Sequence, residues 1–194
     1  MRVKPTAERC SLIADSLPLK AILFFVAASL AAAEWSAPVE VRQDVNRCVT
    51  YRAGWFGGFL VVQVDHDKPW HTYAMDNQRR ANEKLAGKKA LGIDRPTEIT
   101  VTGGLETAGP WFQSPPQDLS KPALRWYSWG FDGQTLFAAK ARRAGAGPAR
   151  VAIRGQACTA SSCKEIDVEL SVPLAGPAQD LAGIDLGSLV QVRH

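Results

Sequence analysis

Two cysteines, Cys158 and Cys163, stand with four residues between them in Gln156-Ala-Cys-Thr-Ala-Ser-Ser-Cys-Lys164. A thiolate can attack a disulfide sulfur, so a pair at this spacing can move electrons by exchange. Val151 and Ile153 lead into the pair, and Ile166, Val168, Leu170 and Val172 lead out. Alternation of that kind predicts strand, loop, strand. A hairpin there would bring the sulfurs within bonding reach, because a disulfide needs Cα atoms about 5.5–6 Å apart. Closing so short a loop contributes about 2 kcal/mol. So small a staple reads better as a redox pair than as a device for holding a domain together. A structural hairpin disulfide is the alternative. The spacing is C-x4-C, and no helix start precedes Cys158 to lower a thiol pKa. Lys164 and Arg154 offer local positive charge, and Glu165 opposes it. No strongly acidic thiol is expected.

Other reactive side chains form weaker patterns. His66 and His71 flank the Asp65–Pro69 turn. A copper or zinc site joining them to Cys158 and Cys163 is a third reading without supporting spacing. Asp65 and Asp67 read as a polar turn. No Ser–His–Asp arrangement, phosphate-cradling glycine loop or dinucleotide fingerprint is present. The expectation is therefore no cofactor, no metal and no small-molecule substrate.

These residues need a scaffold. The chain has 194 residues, enough for one domain with a sizeable core. Residues 1–33 read as a cleaved signal peptide: Arg2, Lys4, Arg9 and Lys20, then the apolar run 21–30, then Ala31-Ala-Ala33. Without them, 19 basic residues face 17 acidic ones, too even a balance for a nucleic-acid footprint. Export would place the protein in the periplasm or another oxidising compartment, where disulfides persist. Cys48 is then the odd cysteine, expected to be a small buried hydrophobe.

Residues 34–56 read as an N-terminal extension with a first strand, 57–174 as the main domain and 175–194 as a loosely docked tail. Phe59–Asp65 is rich in β-branched residues, and Trp70-His-Thr-Tyr73 follows as its partner strand. Asp76 is a candidate N-cap, and residues 78–91 fit a short helix or an ordered loop. Strand signals return at Pro96–Thr102, and residues 109–116 read as irregular. Asp132-Gly133 reads as a hairpin turn between the aromatic Arg125–Phe131 and the strand Gln134–Arg142. Seven to nine short strands without βαβ alternation predict an all-β antiparallel sandwich.

Four motifs, in order, carry a resemblance: Trp70-His-Thr-Tyr73; Pro96-Thr-Glu-Ile99 with Trp111 and Pro115; Trp129-Gly-Phe-Asp-Gly133; and Ala157-Cys-Thr-Ala-Ser-Ser-Cys163. Together they make the chain resemble the N-terminal periplasmic domain of the thiol:disulfide interchange protein DsbD. The resemblance implies an immunoglobulin-like sandwich that exchanges electrons through Cys158 and Cys163. It implies a membrane electron donor and thioredoxin-like periplasmic partners. It makes His71 and Tyr73 neighbours of the pair, with Lys164 beside it. It also implies that Cys163 is the attacked sulfur and Cys158 the resolving one. Where the family carries an aromatic cap over the pair, Ser114–Leu124 holds no phenylalanine or tyrosine. A non-catalytic immunoglobulin-like binding module is the competing function.

Overall fold

The computed structural model describes residues 35–174, 181 and 183–193. The predicted leader, 1–33, lies outside them. Twelve strands are found among the described residues: β1 (Val39–Gln43), β2 (Asn46–Phe56), β3 (Phe59–His66), β4 (His71–Tyr73), β5 (Glu98–Gly103), β6 (Leu105–Gln113), β7 (Gln117–Asp118), β8 (Trp129–Phe131), β9 (Gln134–Arg143), β10 (Ala149–Cys158), β11 (Cys163–Val172) and β12 (Val190–Gln191). One helix, α1 (Asn77–Leu85), follows β4. Two antiparallel sheets form an immunoglobulin-like sandwich. The first runs β1-β2-β3-β9-β6-β12; the second runs β11-β10-β4-β8-β7, with β5 also on β10.

Period-two alternation explains the layering. Leu60, Val62 and Val64 of β3 meet Val151 and Ile153 of β10 and Ile166 and Leu170 of β11 in one buried cluster. Each such side chain contributes about 1.5–3 kcal/mol on burial. Cys48 joins that cluster for a local reason. Val41 pairs with Val49 and Arg42 with Arg47, so Cys48 is the extra residue of a β-bulge. It is free and fully buried, and burial pushes its thiol pKa up.

Several expectations are corrected. β1 and β2 both precede residue 57 and both belong to the first sheet, so the sandwich takes in the stretch that reads as an N-terminal extension, including the β-prone Arg47–Tyr51. β4 does not pair with β3; it crosses to the second sheet and lies between β10 and β8. Asp132-Gly133 joins no hairpin, because β8 pairs with β4 and β7 while β9 pairs with β3 and β6. The turn carries the chain from one sheet to the other. Turn residues specify a reversal but not which sheet receives the next strand. The Gly109-Pro110 stretch lies inside β6, where Thr107 to Trp111 spans only Ala141 to Ala139 on β9. The extra residues are absorbed as an irregularity in the ladder, and the proline falls where no residue pair is made. The tail is docked: Val192 is buried and β12 pairs with β6 at the first sheet's edge. Leu181, Ile184, Leu186 and Leu189 pack with Trp35 on Phe56, Val61 and Ala138, on the outer face of that sheet.

Asp76 sits at the start of α1 but makes no capping bond. Its fully buried carboxylate instead accepts from Arg80 Nε and Gln113 Nε2, each at 2.8 Å, and from the Arg193 backbone N–H at 3.3 Å. Gln113 accepts in turn from the Met75 N–H. This node ties the end of β4 to β6 and to the tail.

Candidate functional site: a disulfide at the mouth of a cleft

The β10–β11 hairpin holds ten paired positions, from Ala149 opposite Val172 to Cys158 opposite Cys163. The cysteines are bonded, with Cα atoms 4.1 Å apart. The intervening turn is held by Thr159, whose N–H donates to the Ser162 carbonyl at 2.7 Å. Thr159 Oγ1 also accepts from the Ser162 N–H at 3.1 Å.

Register places the pair on the sheet's outer face. Opposed residues of an antiparallel ladder share a face, and every second residue returns to it. His71 opposes Cys158, so His71 and Tyr73 lie on the face that carries the disulfide. Their rings meet edge-on at 5.4 Å, with His71 Nε2 3.1 Å from the Tyr73 hydroxyl.

The two sulfur-bearing residues differ in access. Cys158 is 1% exposed, whereas Cys163 is exposed. Facing the disulfide across a cleft is the segment after β7, which makes a 3-10 turn at Pro122–Leu124 and returns through Trp126 to β8. Lys121 and Trp126 bridge across it. Leu119, Lys121 and Trp126 form one wall of a cleft of about 550 Å³; the disulfide, His71, Tyr73 and Pro69 line the rest. Trp126 gives that wall an aromatic side chain, which Ser114–Leu124 does not hold. It lies two residues beyond that stretch, which is why the stretch alone gave no sign of it.

Asp94 pins the wall to the floor. Its Oδ2 accepts from Trp126 Nε1 and Ser128 Oγ, each at 2.7 Å, and its Oδ1 from Gln156 Nε2 at 3.2 Å. Its backbone carbonyl accepts from Asn77 Nδ2 at 2.8 Å. Sequence reasoning missed Asp94, which stands in a polar approach to β5 with no patterned partner. The donors to its carboxylate come from residues 32 to 62 positions away.

The electrostatics follow from burial. It lowers the His71 pKa, opposed by the Asp94 carboxylate, so the imidazole is favoured neutral. Burial raises the Tyr73 pKa, and the Asp94 charge raises it further. The floor of the cleft thus offers a neutral imidazole and a protonated phenol beside the sulfurs. Lys164 is absent from the cleft lining; its charge is felt by the Cys48 thiol on the opposite side. Glu165 is paired with Arg95 at 2.9 Å.

The histidines do not converge. Hydrogen-bond geometry engages both His66 ring nitrogens, with Thr72 Oγ1 at 2.8 Å and with the Gly133 carbonyl. Among the described residues, no group of three or more His, Cys, Asp or Glu could hold a metal ion. Asp67 belongs to Arg47, at 3.0 Å, and Asp65 accepts from Gln63 and Gln134.

Fold and site together define an antiparallel sandwich with a disulfide inside one hairpin, half covered at the mouth of a cleft. No family profile and no curated protein sequence matches the chain. Among solved structures, it is similar to the reduced DsbD N-terminal domain of Neisseria meningitidis, with 10% identity and a TM-score of 0.44 over 74% of this chain and 89% of that one. It is also similar to the complex between the DsbD and PilB N-terminal domains of the same organism, with 10% identity and a TM-score of 0.41 over 67% of this chain and 84% of that one.

Proposed function

We propose that this protein is a thiol:disulfide exchange module that passes electrons to or from partner proteins through Cys158 and Cys163. The observation that carries the reading is the unequal access of the two residues, buried Cys158 against exposed Cys163, at the edge of an open cleft. A structural staple has no need of one reachable sulfur.

The chemistry runs in two steps. A partner thiolate attacks the Cys163 sulfur, the S–S bond breaks, and its electron pair leaves on Cys158 as thiolate. A second thiol of the partner, deprotonated, then attacks the partner's own sulfur in the mixed disulfide and frees Cys163 as thiolate. Two electrons pass to this protein, two protons follow, and the partner is left as a disulfide. In reverse, Cys163 attacks and Cys158 resolves. His71, opposite Cys158, and Tyr73 beside it are the groups placed to relay the protons, and the Trp126 wall bounds the cleft in which they lie. Thioredoxin-fold proteins are the partner class that the ordered sequence motifs support, with a membrane protein as donor. Export of the protein is supported by the leader pattern and by a disulfide, which persists in oxidising compartments.

A redox titration against a glutathione series tests the reading. An exchange pair has a potential above about −300 mV, and a structural bridge one below it. Non-reducing gels supply the second measurement. Cys158→Ser, reduced, should trap an oxidised thioredoxin-fold protein covalently, whereas Cys163→Ser should trap none. A potential below that limit, with no trapping by either folded variant, makes the bridge structural.

A further inference from the structure

The disulfide cleft does not end at its own rim. Thr159 and Pro69 line it on one side and, on the other, line a second groove of about 580 Å³. Arg42, Arg47 and Lys68 border that second groove, with Val45 at its lip. The two grooves lie on either side of the turn that bears Cys163.

Two further features mark this surface. Its rim carries two unpaired cations. Arg42 and Arg47 are paired with Glu40 and Asp67, and Asp94 accepts from Trp126, Ser128 and Gln156 while keeping its charge in the disulfide cleft. Among the described residues, Lys68 in one groove and Lys121 in the other have no carboxylate within ion-pair distance. Its apolar tips are also unusual. Val45 is 84% exposed at the β1–β2 turn, and Leu124 is 51% exposed between Lys121 and Trp126. Isolated exposed apolar residues are ordinary, but these two stand on the segments that border the grooves.

We propose that the two grooves form one docking track for an extended, acidic segment of a partner protein, with its cysteine over Cys163 and apolar residues against Val45 and Leu124. This rests on the exchange function proposed above and names the chemistry of its partner. An attacking sulfur must be brought in line with Cys163, and chain flanking a partner cysteine has to run over one groove or both. Free lysines on either side attract carboxylates and repel basic chains, which sets both encounter rate and partner choice.

The test uses the reduced protein and four oxidants. Two are synthetic peptides of equal length, each with one central cysteine held as a mixed disulfide with thionitrobenzoate. One peptide has Asp, Glu and Leu flanks, the other Lys and Leu. The third is neutral 2-hydroxyethyl disulfide, which reports the reactivity of the pair itself; the fourth is glutathione disulfide. In each reaction the dithiol becomes the Cys158–Cys163 disulfide and the oxidant is reduced to two thiols.

The acidic peptide should react about tenfold faster than the basic one at low salt, with the gap closing at high salt. Lys68→Glu should remove most of that preference, and Val45→Ser should slow both peptides, each judged against the hydroxyethyl disulfide rate. Equal rates for the two peptides, with hydroxyethyl disulfide still reacting, overturn the docking track and leave exchange intact. Glutathione disulfide reacting as fast as the acidic peptide, with the same sensitivity to Lys68→Glu, assigns the surface to a small anionic thiol and overturns the extended partner. Failure of all four oxidants overturns the exchange function itself.

Discussion

Replacing Asp76 by alanine should destabilise the domain by about 3 kcal/mol, the sum of two costs read from the buried node. Gln113 is fully buried, and its amide N–H would lose its acceptor, a penalty of about 1–3 kcal/mol. Arg80, whose side chain is 16% exposed, would lose its only carboxylate among the described residues. A fully buried charge stripped of its partner costs about 3–5 kcal/mol, and the water reaching Arg80 brings its share well below that. For a domain of this size, 3 kcal/mol lowers Tm by about 6–12 °C. Arg193→Ala is the control. Its side chain is 47% exposed, and its Nε lies 3.7 Å from the carboxylate, so the loss should be about 0–1 kcal/mol. Burial alone would raise the Asp76 pKa, but Arg80, Gln113 and the Arg193 N–H together hold it below 3.8. Its contribution is therefore complete above pH 3.8 and is lost as pH falls through the lower folded value. Urea unfolding of both variants and the parent between pH 3 and 7 provides the measurement. An Asp76→Ala loss no larger than that of Arg193→Ala would refute the reasoning.

Cys158→Ser and Cys163→Ser should both stay folded, since the closed loop contributes about 2 kcal/mol, and peptide mapping of the oxidised parent should find Cys48 unbridged. Native-state alkylation should modify Cys163 in the first variant at least about tenfold faster than Cys158 in the second, which requires only about 1.4 kcal/mol of local opening; equal rates would remove the assigned roles. Gly130→Ala should cost at least about 2 kcal/mol, because a Cβ there would stand 2.2 Å from the Thr72 carbonyl and force β8 off β4; a stability change near zero would show the strands can separate freely. Burial holds both His66 and His71 below 6.5, so stability should be constant above pH 6.5 and decline as pH falls toward their folded values. For His66, replacement by glutamine should flatten that slope, and an unchanged slope would clear it of the effect.

The hairpin that carries the cysteines was legible because its signal is local. Alternation on β10 and β11, a short polar turn and two cysteines all fall within 24 residues. The sandwich class was legible from strand density and turn spacing. What stayed hidden was assembled from distant positions. β4 reads as the partner of β3 by proximity in sequence, and no property of His71–Tyr73 shows that β10, more than 70 residues on, will claim it. Asp94 and Trp126 look like a loop acid and a stray aromatic until the Asp94 carboxylate is seen to gather Trp126, Ser128 and Gln156. The tail reads as loose because its apolar residues, Leu181, Ile184, Leu186 and Leu189, follow no strand or helix period. They cover a sheet face irregularly, and irregular cover leaves no periodicity to detect.

That cover gives the sandwich a front and a back. Trp35 and the tail leucines shield the apolar residues on the outside of the first sheet, while β12 occupies the edge offered by β6. The second sheet keeps its outer face open where the disulfide lies. A visitor therefore meets a sealed wall on one side and the exposed Cys163 of the disulfide on the other. Such a molecule can be tethered, fused or immobilised through its shielded side and still turn the disulfide outward.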